Sequence, residues 1–220
     1  MELTILAGLL DSGATFASIR PDRSGLQVAA PGLLTWIEGF AAGIPAKDLN
    51  INWIWLGGDE PDYAALRQRL SPNVLFAMVD PDGADKAMAQ AVKLLDGQTG
   101  LNIFNHPIAV MNTRRDFMMQ RLGALEGVEA PRTIRIEPQS LLGVRDALTE
   151  AGIRCPFIYR SAGVHGGDQM ELIETPDDLY RLERFAFDGG PHYVIEFKDY
   201  RDADGLFRKY RFVFIGAKIY

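Results

Sequence analysis

The sequence predicts an α/β protein in two unequal parts, a small parallel-sheet domain over residues 1–110 followed by an α+β region over residues 111–220. Up to residue 110, apolar β-rich runs alternate with amphipathic helical stretches, the order that parallel crossover connections require. Beyond it the chain changes character, and helices and short strands follow around a glycine loop. The balance of 47% hydrophobic and 24% charged residues in 220 positions suits a soluble protein with a sizeable core, as one large domain or two small ones.

Met1–Leu10 reads as the first strand: its apolar run carries Glu2 where a secretory signal carries positive charge, and it stops at Asp11. A loop around Pro21–Gly32 leads to a helix over Leu33–Ala42. Ile51–Leu56 is a strand closed by Gly57 and Gly58, and Pro61–Leu70, with Tyr63, Leu66 and Leu70 at helical spacing, is a helix. The continuous apolar run Val74–Val79 reads as a strand buried on both faces, ended by Asp80-Pro81-Asp82-Gly83. Ala84–Leu95 follows as a helix with Met88, Ala91, Val92 and Leu95 on one face, then Leu101–Phe104 as a strand. In the second part, Thr113–Leu125 reads as a helix ending before Gly127, and Ser140–Ala151 as another, opened by a serine cap. Phe157–Arg160 and Met170–Ile173 are strands flanking a glycine loop, and Pro176–Phe185 is a helix. Tyr193–Phe197 and Leu206–Ile215 close the chain as strands, joined through a hairpin turn at Asp202-Ala203-Asp204-Gly205.

A net charge of −6 gives no overall electrostatic reason for a nucleic-acid or anionic-membrane partner, so any anion site must be local. The single cysteine, Cys155, precludes an intramolecular disulfide, suits a reducing compartment, and reads as a small core residue. No stretch reaches the roughly 18 to 20 apolar residues of a membrane span. These features predict a cytoplasmic protein.

The segment with most chemistry is Cys155–Gly167, where a short apolar run ends in Arg160 and leads into Gly163-Val164-His165-Gly166-Gly167. Glycines let backbone N–H groups converge on an anion, and an arginine at a strand end offers a fixed fork of donors to phosphate oxygens. Taken alone, the same pattern also fits an ordinary turn.

Three further stretches, Asn105-His106-Pro107, Thr113-Arg114-Arg115 opening a helix, and Gly127–Thr133, resemble in their order the start of an ATP-grasp domain. The strand ending at Arg160 with its glycine loop is similar to the phosphate-binding strand and loop of that superfamily. Tyr193–Phe197 resembles its adenine-holding hinge strand, and Lys209–Gly216 the basic strand that follows. The closest likeness is to bacterial ATP-grasp-like (RimK-like) domains often attached to tetratricopeptide repeats, although the chain itself contains no repeat. On this resemblance, residues 1–110 are the α/β domain that precedes ATP-grasp and 111–220 an ATP-grasp-like nucleotide-binding region, incomplete at its C-terminus.

The resemblance implies ATP as ligand and a ligase reaction, in which a carboxylate is phosphorylated to an acyl phosphate and an amine or similar nucleophile then displaces phosphate. It implies that Arg115, with Arg114 as the alternative, Arg160, Gly163, His165, Gly166 and Gly167 contact phosphate. Glu196 and Phe197 would hold adenine and ribose, and Arg211, with Arg160, would serve the reacting groups. Many family members have lysine where this chain has Arg160, and arginine supports binding better than acid–base chemistry. Magnesium is implied too, but its acidic ligands fall beyond Tyr220, so no metal ligand is assigned within the chain and a longer parent protein is expected. The partners expected are ATP and a small carboxylate or amine acceptor, with no nucleic acid and no membrane; a homo-oligomer is compatible with this reading.

Other residues read more plainly. His165 is either a surface residue or a phosphate or substrate contact, His106 is a turn residue and His192 an exposed one. Three scattered histidines with one cysteine give no zinc spacing. The twelfth position from Asp202 is Val213 rather than glutamate, which removes an EF-hand reading. Trp36, Trp53 and Trp55 are expected in the core. No phosphate-loop lysine motif or serine nucleophile elbow occurs. Three readings stay open: the ligase, a nucleotide-binding or interaction module that has lost turnover, and phosphoryl transfer to a hydroxyl.

Overall fold

The structure, a computed structural model, describes residues 1–9, 11, 16–19, 26–29, 48, 50–77, 81–164, 169–210, 212, 214–215 and 218–219. The chain opens with β1 (Glu2–Gly8), every residue of which after Glu2 is buried. The strands β2 (Phe16–Ile19) and β3 (Leu26–Ala29) form an antiparallel pair. Then come β4 (Asn50–Leu56), helix α1 (Tyr63–Arg67), β5 (Asn73–Phe76), helix α2 (Asp85–Leu95) and β6 (Asn102–Phe104). The four longer-range strands make a sheet in the order β4-β1-β5-β6, parallel throughout, as the alternation of runs predicts. Residues 78 and 79 of the expected strand, the expected helix Leu33–Ala42, and Trp36 lie outside the described residues.

Helix α2 lays Ala87, Met88, Ala91, Leu94 and Leu95 against Leu6, Ile54, Leu56, Val74 and Phe76, which forms the first core. Gln90 is buried on the same helix and its amide is fully used: Gly57 N–H donates to Oε1 at 2.7 Å, and Nε2 donates to the Gly58 carbonyl at 3.2 Å. Gly57 has φ +96°, and a Cβ there would stand 2.9 Å from the Leu9 carbonyl oxygen, so this turn requires glycine. Asp11 caps α2 from outside the helix, accepting from Asp85 N–H at 2.7 Å and Lys86 N–H at 3.1 Å.

The expected core position of Trp53 and Trp55 is corrected: they are 36% and 42% exposed, with rings stacked 6.0 Å apart. Strand β4 is at the sheet edge, and its alternation gives the buried positions beneath α2 to Ile54 and Leu56. After β6, Asn105 turns the chain with φ 55°, and the expected turn at His106 becomes the start of helix α3 (Pro107–Met111). The His106 ring accepts the Ile108 N–H at 3.3 Å, and Pro107 occupies the first helical position, where its missing N–H costs nothing.

Helix α4 (Arg115–Gly123) leads to β7 (Thr133–Ile136), helix α5 (Leu141–Ala151), β8 (Phe157–Ser161), β9 (Met170–Ile173) and β10 (His192–Glu196). These four strands form an antiparallel sheet in the order β7-β10-β8-β9. Ser140 caps α5 through Gly143 N–H at 3.2 Å, and Gly152 ends it in the left-handed region. The expected α-helix at Pro176–Phe185 is a 3₁₀ helix, Pro176–Arg184. Its buried leucines, Leu179 and Leu182, are three residues apart, the spacing that stacks on one side of a 3₁₀ turn. They join Val144, Leu148, Phe157, Tyr159, Ile173 and Val194 in the second core, against which half-buried Cys155 packs.

The expected strand Leu206–Ile215 is also corrected, because residues 206–210 form no strand. Both sides of β10 are already taken by β7 and β8, and Arg208 is drawn back onto Asp202 at 3.0 Å and onto Asp204. The turn itself forms, with Gly205 N–H donating to the Asp202 carbonyl at 2.8 Å. Among the described residues of that stretch, β11 (Phe214–Ile215) is the strand, and it pairs with β12 (Lys218–Ile219).

Candidate functional site

Residues directly opposite one another in an antiparallel pair share a face of the sheet. In the second sheet Arg135 is opposite Tyr193, Tyr193 is opposite Arg160, and Arg160 is opposite Met170, so two arginines flank Tyr193 in one row. The next row on that face is Thr133, Ile195, Ile158 and Leu172. Phe157, Tyr159 and Val194 point the other way, into the second core. Strand alternation therefore separates a face packed in the second core from one that is covered by Asp82 at Tyr193 and open at Ile158 and Ile195.

On the open face Ile158 and Ile195 floor a groove of about 530 Å³, walled by Phe197, Tyr200 and Phe207 and edged by Glu196 and Lys198. Phe207 meets Phe197 at 6.2 Å and Tyr200 at 5.0 Å, both edge to face. Arg160 lies two residues along the strand from Ile158, about 7 Å further on. The apolar slot thus lies on the same face as Arg160, which is set two residues beyond its floor.

The polar groups around the slot are already tied together. Glu196 N–H donates to the Arg132 carbonyl at 2.8 Å, its carboxylate accepts from Arg132 N–H at 3.2 Å, and Lys198 is 3.3 Å away. The Arg132 N–H and then Lys198 hold the Glu196 carboxyl below its ordinary range, against the opposing effect of burial. Phe197 N–H donates to the Pro156 carbonyl at 3.3 Å. The Arg160 guanidinium donates to the Val164 carbonyl in the glycine loop.

The two arginines left as alternatives by the sequence differ in their surroundings. Arg114 is bound to Asp116 at 2.7 Å and lies over the Phe117 ring at 4.4 Å. Burial works against the Asp116 carboxylate, yet Arg114 prevails and holds its ionisation below the ordinary value. Arg115 instead lies 5.9 Å from the centroid of the Tyr193 ring, beside the cationic row. Gly163, with φ +71°, comes close to the turn between β5 and α2: a Cβ there would be 3.2 Å from the Asp82 carbonyl oxygen. His165, Gly166, Gly167 and Arg211 lie outside the described residues.

Sequence reasoning missed Asp82 and Arg135, and gave Tyr193 no role of its own. The Tyr193 hydroxyl is 2.9 Å from both Asp82 carboxylate oxygens, and Arg135 Nε is 3.8 Å from Oδ1. Burial, followed by the Asp82 charge, pushes the Tyr193 phenol well above its ordinary value. The period-two parity of β8 and β10 would have found Tyr193, whereas Asp82, 111 residues away, leaves no local signal.

His192 is corrected from exposed to buried, at 5% exposure, with its ring stacked 5.0 Å from Tyr159 and Nδ1 3.0 Å from the Gly190 carbonyl. It lies two residues from Val194 and so shares the core face. Burial pushes its imidazole below the ordinary value. Among the described residues no group of three or more histidine, cysteine, aspartate or glutamate side chains could hold a metal ion. No helix among them is long and apolar enough to cross a membrane.

A parallel four-stranded sheet joined to an antiparallel one is the fold of ATP-grasp enzymes, and the chain has that fold. Among the solved structures it matches is D-alanine–D-alanine ligase from Bacillus anthracis, at 11% identity and a TM-score of 0.51, over 90% of this chain and 58% of that one. Another is N5-carboxyaminoimidazole synthetase from Staphylococcus aureus complexed with ADP, at 12% identity and a TM-score of 0.51, over 89% of this chain and 47% of that one. The chain spans about half the length of these structures. No family model and no curated protein matches it.

Proposed function

We propose that the chain is the nucleotide-binding part of an ATP-dependent ligase of the ATP-grasp type, joining a carboxylate to an amine or similar nucleophile through an acyl phosphate. The observation that carries this reading is one face of the second sheet, where the slot over Ile158 and Ile195 is followed two residues along β8 by Arg160, opposite Tyr193, whose ring centroid lies 5.9 Å from Arg115. The slot takes the base by apolar contact with Phe197 and Phe207, and the hinge at Glu196 and Phe197 fixes its edge. Arg115 and Arg160 offset the phosphate charge; Gly163, His165, Gly166 and Gly167 are assigned to phosphate on the strength of the resemblance. Arg211 is assigned to the reacting groups on the strength of the resemblance alone.

In the reaction the terminal phosphoryl group passes from ATP to a carboxylate oxygen with ADP leaving, and the amine then expels inorganic phosphate from the acyl carbon. The protein's part is positioning and charge stabilisation rather than covalent catalysis. The described residues do not fit a magnesium site, so no step is assigned to that ion. The alternative of a binding module without turnover draws support from Arg160, whose fork suits holding phosphate. The single cysteine supports a reducing, cytoplasmic setting. The test is calorimetric titration with ATP, followed by ATP consumption against a panel of carboxylate and amine acceptors. Saturable binding with acceptor-dependent ADP release supports the ligase, binding without turnover supports the module, and absence of binding removes both.

A further inference from the structure

The contact between the two domains is concentrated on one buried acid. Asp82 lies in the turn between β5 and α2, at the C-terminal edge of the parallel sheet, and is 8% exposed. That turn is held firmly within its own domain: Asp11 N–H donates to the Gly83 carbonyl at 2.8 Å, and the Asp11 carboxylate caps α2. Across the boundary Asp82 meets the Tyr193 hydroxyl with both oxygens and faces Arg135. Its backbone carbonyl also abuts Gly163, the first glycine of the loop.

We propose that Asp82 and Tyr193, backed by Arg135, form the latch that seats the first domain on the open face of the antiparallel sheet and so sets the phosphate end of the nucleotide groove. Tyr193 stands between Arg135 and Arg160 in the cross-strand row, and its ring lies beside Arg115. Fixing its hydroxyl therefore fixes the plane around which the cations are arranged. A tyrosine buried to 1% exposure needs a partner for its hydroxyl, and a buried carboxylate needs a cation or a donor; here each requirement answers the other. Arg135 is unsuited to binding an anion itself, since Glu137 at 2.5 Å and Asp85 at 3.9 Å join Asp82 around it. Its role is to neutralise the acid that holds Tyr193. Asp82 and Tyr193 are thus positioning residues, and the nucleotide arm of this inference rests on the proposed function.

The test compares Tyr193→Phe, Asp82→Ala and Asp82→Asn with the unaltered chain, by amide hydrogen exchange over residues 81–84 and 161–164 and by titration with ATP and with adenosine. Tyr193→Phe keeps the buried ring and removes only the hydroxyl. The latch predicts faster exchange in both segments and ATP binding weakened about ten-fold or more, with adenosine binding nearly unchanged. Asp82→Asn, which still accepts from the hydroxyl, should retain more ATP affinity than Asp82→Ala, and adding Tyr193→Phe to Asp82→Ala should cost little more. Unchanged exchange in Tyr193→Phe overturns the latch, as does equal weakening of ATP and adenosine. If the unaltered chain binds neither, the nucleotide reading falls and the exchange result alone decides the latch.

Discussion

Arg160 and Arg114 carry the same charge but differ in what surrounds them, and the difference leads to opposite expectations. Arg160 stands on the open face in line with the slot, so Arg160→Ala should weaken ATP binding by about ten-fold to a hundred-fold, with partial recovery in Arg160→Lys, as titration calorimetry would measure. Arg114 is committed to Asp116, so Arg114→Ala should lower the melting temperature more than the ATP affinity. His192 offers a test by pH. Its folded ionisation lies below the ordinary 6.5, so on acidification the unfolded state takes up the proton first and stability falls as the pH drops below about 6.5. Melting curves between about pH 7 and pH 5 should show this loss, and His192→Phe should reduce it. The glycine loop after β8 singled out Arg160, and the resemblance singled out Glu196 and Phe197; their roles belong to the proposed function. His192 was misread because its neighbouring proline says nothing about strand parity, while Val194, two residues on, would have put it on the core face.

At the level of the elements, the helices and parallel strands follow from periodicity, and helix starts follow from side chains that satisfy terminal N–H groups. Ser140→Ala should destabilise the protein by about 1 kcal/mol, since the first turn of α5 loses its acceptor, and urea denaturation would measure it. Gly57→Ala should cost more, because a methyl group would meet the Leu9 carbonyl in a backbone conformation that alanine resists. Loss of stability no greater than for an exposed glycine would mean that the turn relaxes. The 3₁₀ helix and the irregular course of residues 206–210 were illegible for a common reason. In both, a hydrophobic pattern compatible with a regular element is overruled by its surroundings. For the first these are the threefold spacing of the buried leucines; for the second, the occupied edges of β10 and the pull of Asp202 and Asp204 on Arg208.

The whole molecule joins a parallel sheet, buried by α2, to an antiparallel sheet whose inner face is packed and whose outer face meets Asp82 at Tyr193 and carries a groove over Ile158 and Ile195. The alternation that predicts the first sheet is local, whereas the cross-strand rows that build the open face depend on register between strands far apart in the chain. That is why the fold and half of the cationic row could be read from sequence, while the partners of Tyr193 could not. The measurement that tests the account most directly is titration of the chain with ADP, alongside Arg160→Ala. The account predicts saturable binding with an accompanying rise in melting temperature, both strongly diminished in Arg160→Ala while its fold is retained. Absence of binding at millimolar ADP, with and without magnesium, or binding unaffected by loss of Arg160, would contradict it.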